Sequence, residues 1–272
     1  MSKHTLKLRV TFVMNHLKMM NKTGFLSIFF LLFLLSSAIA QDMNRTDVKG
    51  KKQGVWKSYF PNQVLKSEGT YKDDLPQGLF KMYFPSGKLR AEMDYKEDGK
   101  SCWAVLFDSS GVKLGEGLYV DKLKSGEWKM YAEDGSLRAV ENYTNGVLNG
   151  PYRIYYQNLQ DKIMEEGTYV NGAKDQKIKQ YYPSGSVHSE VMYKNGICVG
   201  PALYFHPNGN KQVQGSHDAN GKRHGLWVQY DEKGLPKNKV VYRHGGANGK
   251  DAIIETAPLK PIKVETPDGI RE

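Results

Sequence analysis

Five glutamates, Glu68, Glu92, Glu116, Glu166 and Glu190, each stand three residues before a tyrosine. Lys57, Lys81, Lys129, Arg153 and Lys179 recur as a second, basic series along the chain. Carboxylates and lysines are the usual groups for acid and base work, but that work needs a singular pair whose surroundings drive the two pKa values apart. A periodic row gives every member similar surroundings. If each repeat contributes two strands at about 4.8 Å each, neighbouring glutamates lie ~9.6 Å apart. Such rows are expected to interleave as ion pairs on a solvated face, which keeps a long sheet soluble and discourages edge pairing.

Other reactive residues form no recognisable constellation. There is no Gly-x-Ser-x-Gly elbow and no His-Glu-x-x-His run. Gly99-Lys100-Ser101 resembles the end of a phosphate loop, but Asp94 stands where its first glycine belongs. His188, His206, His217, His224 and His244 match no metal-ligand spacing and read as surface or ladder histidines. Neither Cys102 nor Cys198 has a histidine and acid placed to make it a nucleophile. No catalytic residue, metal or cofactor is therefore expected, and the chain reads as non-enzymatic.

The element that positions these rows is a repeat. Gly78-Leu-Phe-Lys-Met-Tyr-Phe-Pro-Ser-Gly87 returns as Gly126-Glu-Trp-Lys-Met-Tyr-Ala-Glu-Asp-Gly135 and as Gly225-Leu-Trp-Val-Gln-Tyr-Asp-Glu-Lys-Gly234. Tyr71, Tyr95, Tyr119 and Tyr143 follow at intervals of 24 residues, as do Tyr169 and Tyr193, with Tyr242 in the last unit and His217 at this position in the seventh. Eight units start near Gly54, Gly78, Cys102, Gly126, Gly150, Gln176, Gly200 and Gly225, the fifth carrying a two-residue insertion around 158–161. Each reads as a β-hairpin, with strands such as 78–84 and 88–95 joined at Pro85-Ser86-Gly87, and polar Asn-Gly links between units. The 28 glycines and 17 tyrosines agree with many turns and many pleated strands.

A lone hairpin cannot bury its apolar face, but stacked hairpins can. Trp56, Phe80, Trp128, Tyr152, Ile178 and Trp227 share one place in successive units, and Leu65, Leu89, Leu137 and Val187 share one on the return strand. Ladders of like residues predict a continuous apolar spine. The expected fold is all-β: an elongated single antiparallel sheet or solenoid of about eight stacked 24-residue β-hairpins. Four repeats separate Cys102 from Cys198, so ~38 Å, far beyond the roughly 7 Å between Cα atoms that a disulfide permits. Both are expected to stay unpaired within one molecule, as buried thiols or else as intermolecular links.

The formal net charge is +10, but the first forty residues hold Lys3, Lys7, Arg9, Lys18 and Lys22 and no acids. Without these five the 39 cations become 34 against 29 acids, a scattered +5, which gives nucleic-acid binding no support. Residues 25–35, FLSIFFLLFLL, followed by Ser36-Ser37-Ala38-Ile39-Ala40, have the form of a secretory signal peptide cleaved before Gln41, with translation starting at Met1, Met19 or Met20. Contact with a membrane is expected only through an uncleaved leader. The expected divisions are a signal peptide over 1–40, a linker over 41–50, the repeat domain over 51–245 and a C-terminal cap and tail over 246–272. A short strand is expected at 252–256.

The unit Gly-x-Trp-x-x-Tyr-x-x-x-Gly-x-Leu-x-x-Glu-x-x-Tyr-x-x-Gly resembles the bacterial variant of the MORN repeat, and the chain looks like the YwqK-type proteins labelled as antitoxin components. The resemblance spans about 51–245. It implies an all-β, non-enzymatic protein, with toxin neutralisation in part of the family and scaffolding or membrane association elsewhere. Unit three departs from the pattern, with Cys102 at the glycine place and Ala104 at the aromatic one. The leader confines an antitoxin role to a toxin that also acts in the envelope. The expected function is a protein-binding scaffold of the cell envelope, periplasmic, cell-surface or secreted. Recognition of a surface glycan or small group stands as the second reading. The candidate interaction surface is Tyr59, Tyr83, Tyr131, Tyr155 and Tyr181 with Lys57, Lys81, Lys129, Glu68, Glu92 and Glu116. The sequence leaves open whether the chain is a monomer or associates end to end.

Overall fold

The computed structural model describes residues 43–243 except 158 and 160, together with the backbone of 246–247. The expected leader and the expected strand at 252–256 lie outside the described residues. Within them there is no helix, and every strand pairs antiparallel with its neighbour in the chain. The eight hairpins are Lys52–Tyr59 with Leu65–Lys72, Leu75–Tyr83 with Leu89–Tyr95, Ser101–Phe107 with Lys113–Val120, and Leu123–Tyr131 with Leu137–Thr144. They continue as Gly150–Tyr155 with Ile163–Val170, Ala173–Tyr181 with Val187–Lys194, Ile197–Phe205 with Lys211–His217, and Arg223–Tyr230 with Pro236–Arg243. The result is a single open antiparallel meander of consecutive hairpins, as the repeat predicts. Two-residue strands flank it: Arg45–Thr46, within the 41–50 segment, pairs with the first long strand, and Gly246–Ala247 pairs with the last.

Two kinds of turn set the register. At hairpin tips the amide of Gly87 donates to Phe84 O and the amide of Phe84 donates to Lys88 O, with Gly87 alone at positive φ (86°). That is a three-residue turn closed by a left-handed glycine and a bulge. In the first unit Gln63 takes this place at φ 65°, in a region disfavoured for an L-residue. Links between hairpins are mostly two-residue turns with both residues left-handed, such as Asn145-Gly146 and Asn195-Gly196.

The apolar face must be covered by the sheet's own side chains, because no second layer lies over it among the described residues. Each aromatic ring of the spine lies across the strand beside it, where a side chain would collide. A Cβ on Gly69 would stand 2.4 Å from the Phe80 ring, one on Gly117 2.5 Å from Trp128, and one on Gly215 2.1 Å from Trp227. Trp128 (0 % exposed), Trp227 and Tyr152 are accordingly the largest fully buried side chains. The indole N–H of Trp128 donates to Leu118 O at 3.0 Å, and that of Trp227 to Ser216 O at 3.1 Å, both beside breaks in the ladder register.

These glycines alternate. Gly69, Gly117, Gly167 and Gly215 sit in odd units, while Met93, Glu141, Val191 and Val240 hold the same place in even ones. The facing residues compensate in volume: Phe80, Trp128, Ile178 and Trp227 lie over glycine, whereas Met93 faces Ala104 and Val191 faces Ala202. The structural repeat is therefore two hairpins, about 48 residues, rather than the 24 residues that the sequence motif suggests. Unit three fits this scheme: the ladder runs without a shift from Ala91↔Leu106 to Tyr95↔Cys102, so Cys102 needs no positive φ. Both cysteines are free. Cys102 is buried as expected, but Cys198 is only half-buried because its strand begins next to the exposed link.

Trp128→Ala removes a fully buried ring and is expected to cost about 3–5 kcal/mol in a urea melt. Gly117→Ala alone is also expected to destabilise, by about 1–3 kcal/mol, yet to cost little in the Trp128→Ala background, where the ring no longer occupies the space. Additive losses would show that the ring does not lie on Gly117. Gln63→Gly is expected to stabilise by about 0.5–1 kcal/mol, since it relieves a left-handed L-residue at some entropic cost; a loss of stability would contradict the turn geometry.

Candidate binding surface

The register brings the predicted ionic residues into one row on the face opposite the aromatic spine. Cross-strand partners run Lys57, Glu68, Lys81, Glu92, Val105, Glu116 and Lys129, then Val140, Arg153, Glu166, Lys179 and Glu190. Salt bridges form within hairpins: Lys57–Glu68 at 3.2 Å, Lys81–Glu92 at 3.4 Å, Arg153–Glu166 at 3.5 Å and Lys179–Glu190 at 3.5 Å. Glu116 is instead bridged by Lys113 at 3.2 Å, and Lys129 makes no salt bridge among the described residues. Half-exposed pairs of this kind contribute about 0–1 kcal/mol each, so their main effect is solubility and specificity.

The five predicted tyrosines are not equivalent. The hydroxyls of Tyr83, Tyr131 and Tyr181 donate to Glu68, Glu116 and Glu166 of the preceding hairpin at 2.8, 2.5 and 2.6 Å. Tyr155 stands fifteen residues after Val140, where those three have a glutamate, and has no carboxylate to reach. Tyr59 begins the series and is 56 % exposed. The bond again joins an odd unit to the following even one. Burial, followed by the bond to Glu68, pushes the Tyr83 hydroxyl up to about 12; burial and the Glu166 bond do the same at Tyr181. In return Tyr83, then Lys57, holds the Glu68 carboxyl below its ordinary value, and Tyr131 does so for Glu116. Much of the predicted surface is thus engaged with itself.

The aromatic face carries groups that the sequence reading missed. Lys52, Lys124, Lys174 and Arg223 lie over aromatic rings: Lys52 over Trp56 and Tyr71 (4.6 and 4.8 Å), Lys124 over Trp128 and Tyr143 (4.5 and 4.7 Å), Arg223 over Trp227 and Tyr242 (4.5 and 5.5 Å). Their alkyl stems cover the rings and their charges sit on the ring faces. The signal was a cation two residues before the unit start, present at five of the eight units (Lys52, Lys100, Lys124, Lys174 and Arg223), of which all but Lys100 lie over a ring. Glu165 is the other omission. It is 6 % exposed, accepts from Tyr152 and Lys174 at 2.6 Å each, and accepts from Gln180 at 3.0 Å. Burial drives this carboxyl up, but the Lys174 charge and these bonds outweigh it and leave it below its ordinary value. The donors saturate the carboxylate, and the cluster acts as a buried polar clamp between units five and six.

Two hollows open on the sheet. One of about 60 Å³ lies on the aromatic face, lined by Ile178, Gln180, Ser189, Val191, Tyr193 and Tyr204. The larger, of about 220 Å³, lies on the charged face among Val55, Glu68, Gly69, Thr70, Leu79 and Lys81. Among the described residues, no three His, Cys, Asp or Glu side chains converge to hold a metal ion.

His217 replaces the repeat tyrosine and keeps its edge-on packing against Trp227, with ring centroids 5.2 Å apart. Its Nδ1 is buried with no hydrogen-bond partner. Burial, and next the Arg223 charge, hold its pKa below the ordinary 6.5, against an opposing pull from Asp218; burial also lowers His188. The folded state then binds fewer protons than the unfolded chain, so this stability is present above about pH 6.5 and is lost as pH falls below it. His217→Tyr is expected to flatten the decline in urea midpoint between about pH 6.5 and 5. It is expected to leave the decline below about pH 4.5, where Glu68, Glu116, Glu165 and Glu190 protonate. An unchanged slope above pH 5 would show that His217 does not titrate against folding.

Comparison with known proteins agrees with the repeat. Residues 52–73, 76–97, 124–145 and 177–195 match the model of the MORN repeat variant. No curated protein matches the chain. Among solved structures, those titled "Crystal Structure of TcdB2-TccC3-Cdc42", "Crystal Structure of TcdB2-TccC3" and "Crystal Structure of TcdB2-TccC3-TEV" show similarity at 12 %, 9 % and 10 % identity, with TM-scores of 0.23, 0.21 and 0.18. They cover 74 %, 72 % and 68 % of this chain, which spans only 12 %, 13 % and 12 % of theirs. Four of the eight hairpins thus carry the MORN repeat variant, within an unbroken meander.

Proposed function

We propose that this protein is an exported, non-enzymatic scaffold that binds a protein partner of the cell envelope along its charged face. The observation that carries this reading is the row from Lys57 to Glu190, an ordered series dominated by charges that crosses one face of six hairpins, with exposed Leu79 and Trp103 on the sheet beside it. Regular stacking turns one hairpin's weak contacts into many-point contact, as repeat architectures do. Export rests on the apolar run at 25–35 and the small residues before Gln41. Among the described residues no helix is long and apolar enough to cross a membrane. A toxin acting in the envelope is one partner class that the YwqK-type resemblance adds.

Expression of the tagged full chain, followed by cross-linking and capture from envelope fractions, is expected to enrich a discrete protein, and N-terminal sequencing is expected to read from Gln41. Lys81→Glu with Lys129→Glu reverses two cations of the row and is expected to abolish the enrichment without lowering the melting temperature by more than a few degrees. A chain retained in the cytoplasm would overturn export. Retention on isolated polysaccharide with no enriched protein would replace the scaffold reading with glycan binding.

A further inference from the structure

We propose that the charged face of units one to three is a docking site for an extended peptide of the partner, one that places an apolar side chain in the 220 Å³ hollow and a lysine or arginine over Trp103. The site rests on the scaffold reading and specifies its chemistry. Trp103 is 49 % exposed, whereas Trp128 and Trp227 are buried. It lies in a row of cross-strand partners, Leu79, Asp94, Trp103 and Leu118, and Leu79 is 53 % exposed. Leu79 also walls the hollow, together with Val55, so hollow and tryptophan lie on one track, with Asp94 on the strand between them. In units four to seven the equivalent positions are Glu127, Pro151, Lys177 and Pro201, which ends the track, and Leu226 recurs only in unit eight.

Charge around the track selects the occupant. Val105 takes the place that Lys57, Lys81 and Lys129 hold in their units, so Glu92 and Glu116 flank it with no cation between them. Asp94, directly opposite Trp103, is exposed and makes no salt bridge among the described residues. A half-exposed indole beside an unpaired carboxylate attracts a cation through both the ring face and the charge. The same arrangement disfavours an acidic segment.

Spacing fixes the reach. Gly69, in the floor of the hollow, lies three strands from Trp103, ~14 Å at about 4.8 Å per strand. An extended peptide at about 3.3 Å per residue covers this in four residues. The side chains at both ends of such a span point the same way. The matching segment is an apolar residue followed four positions later by lysine or arginine.

The test uses the full chain and synthetic nonapeptides that carry leucine and arginine four residues apart in a Gly/Ser background. Control peptides replace arginine with glutamate or move it two positions closer. Saturable anisotropy accompanied by a change in tryptophan emission is expected for the first peptide only. Binding is expected to weaken about tenfold or more in Asp94→Lys and in Trp103→Ala, with the melting curve unchanged. Equal binding of the glutamate peptide, no peptide binding, or full affinity in Asp94→Lys would overturn the site; an emission change with neutral oligosaccharide alone would assign it to glycan. If envelope capture succeeds equally with wild type and Asp94→Lys, this site fails while the scaffold reading stands. If wild type captures nothing, the scaffold reading itself fails.

Discussion

A single sheet has no second layer to cover its apolar side, and the rest of this structure follows from how that constraint is met. A large ring is laid flat on the neighbouring strand, which is possible only where that strand has no side chain. Trp128 on Gly117 and Trp227 on Gly215 are the clearest cases, and both rings also find a carbonyl for their indole N–H. A buried tryptophan without that acceptor would lose much of what it gains from leaving water. The tyrosines packed edge-on and the cations lying over the rings finish the cover.

This solution uses one glycine for each ring, so adjacent hairpins cannot be identical. A hairpin with glycine accepts the next ring; a hairpin with methionine or valine needs a small neighbour. The alternation of Gly69, Met93, Gly117 and Glu141 is the outcome, and it extends to the other face. There the bonds from Tyr83 to Glu68, Tyr131 to Glu116 and Tyr181 to Glu166 join the same odd and even pairs. Because these groups satisfy one another, the places where the pattern lapses are the ones free to meet another molecule. Val105 in the charge row and Trp103 in the exposed row both belong to unit three, the unit that departs furthest from the motif.

The all-β class, the eight hairpins, the turn positions and the lysine–glutamate pairing outside units three and four were legible along the chain. These depend on short-range information: glycine for a left-handed turn, alternation of period two, and a repeat that places like residues opposite one another. Which tyrosines hold carboxylates, why Cys102 and Ala104 are tolerated, and where Glu165 and Lys174 meet emerge from the folded sheet. Those outcomes turn on bulges at most junctions, which shift the register by a residue or two and so choose the cross-strand neighbour, and on the absence of a bulge between units two and three. A motif read along the chain carries no record of which side chain stands 5 Å away on the next strand, and in this sheet that neighbour sets whether a ring is buried or exposed.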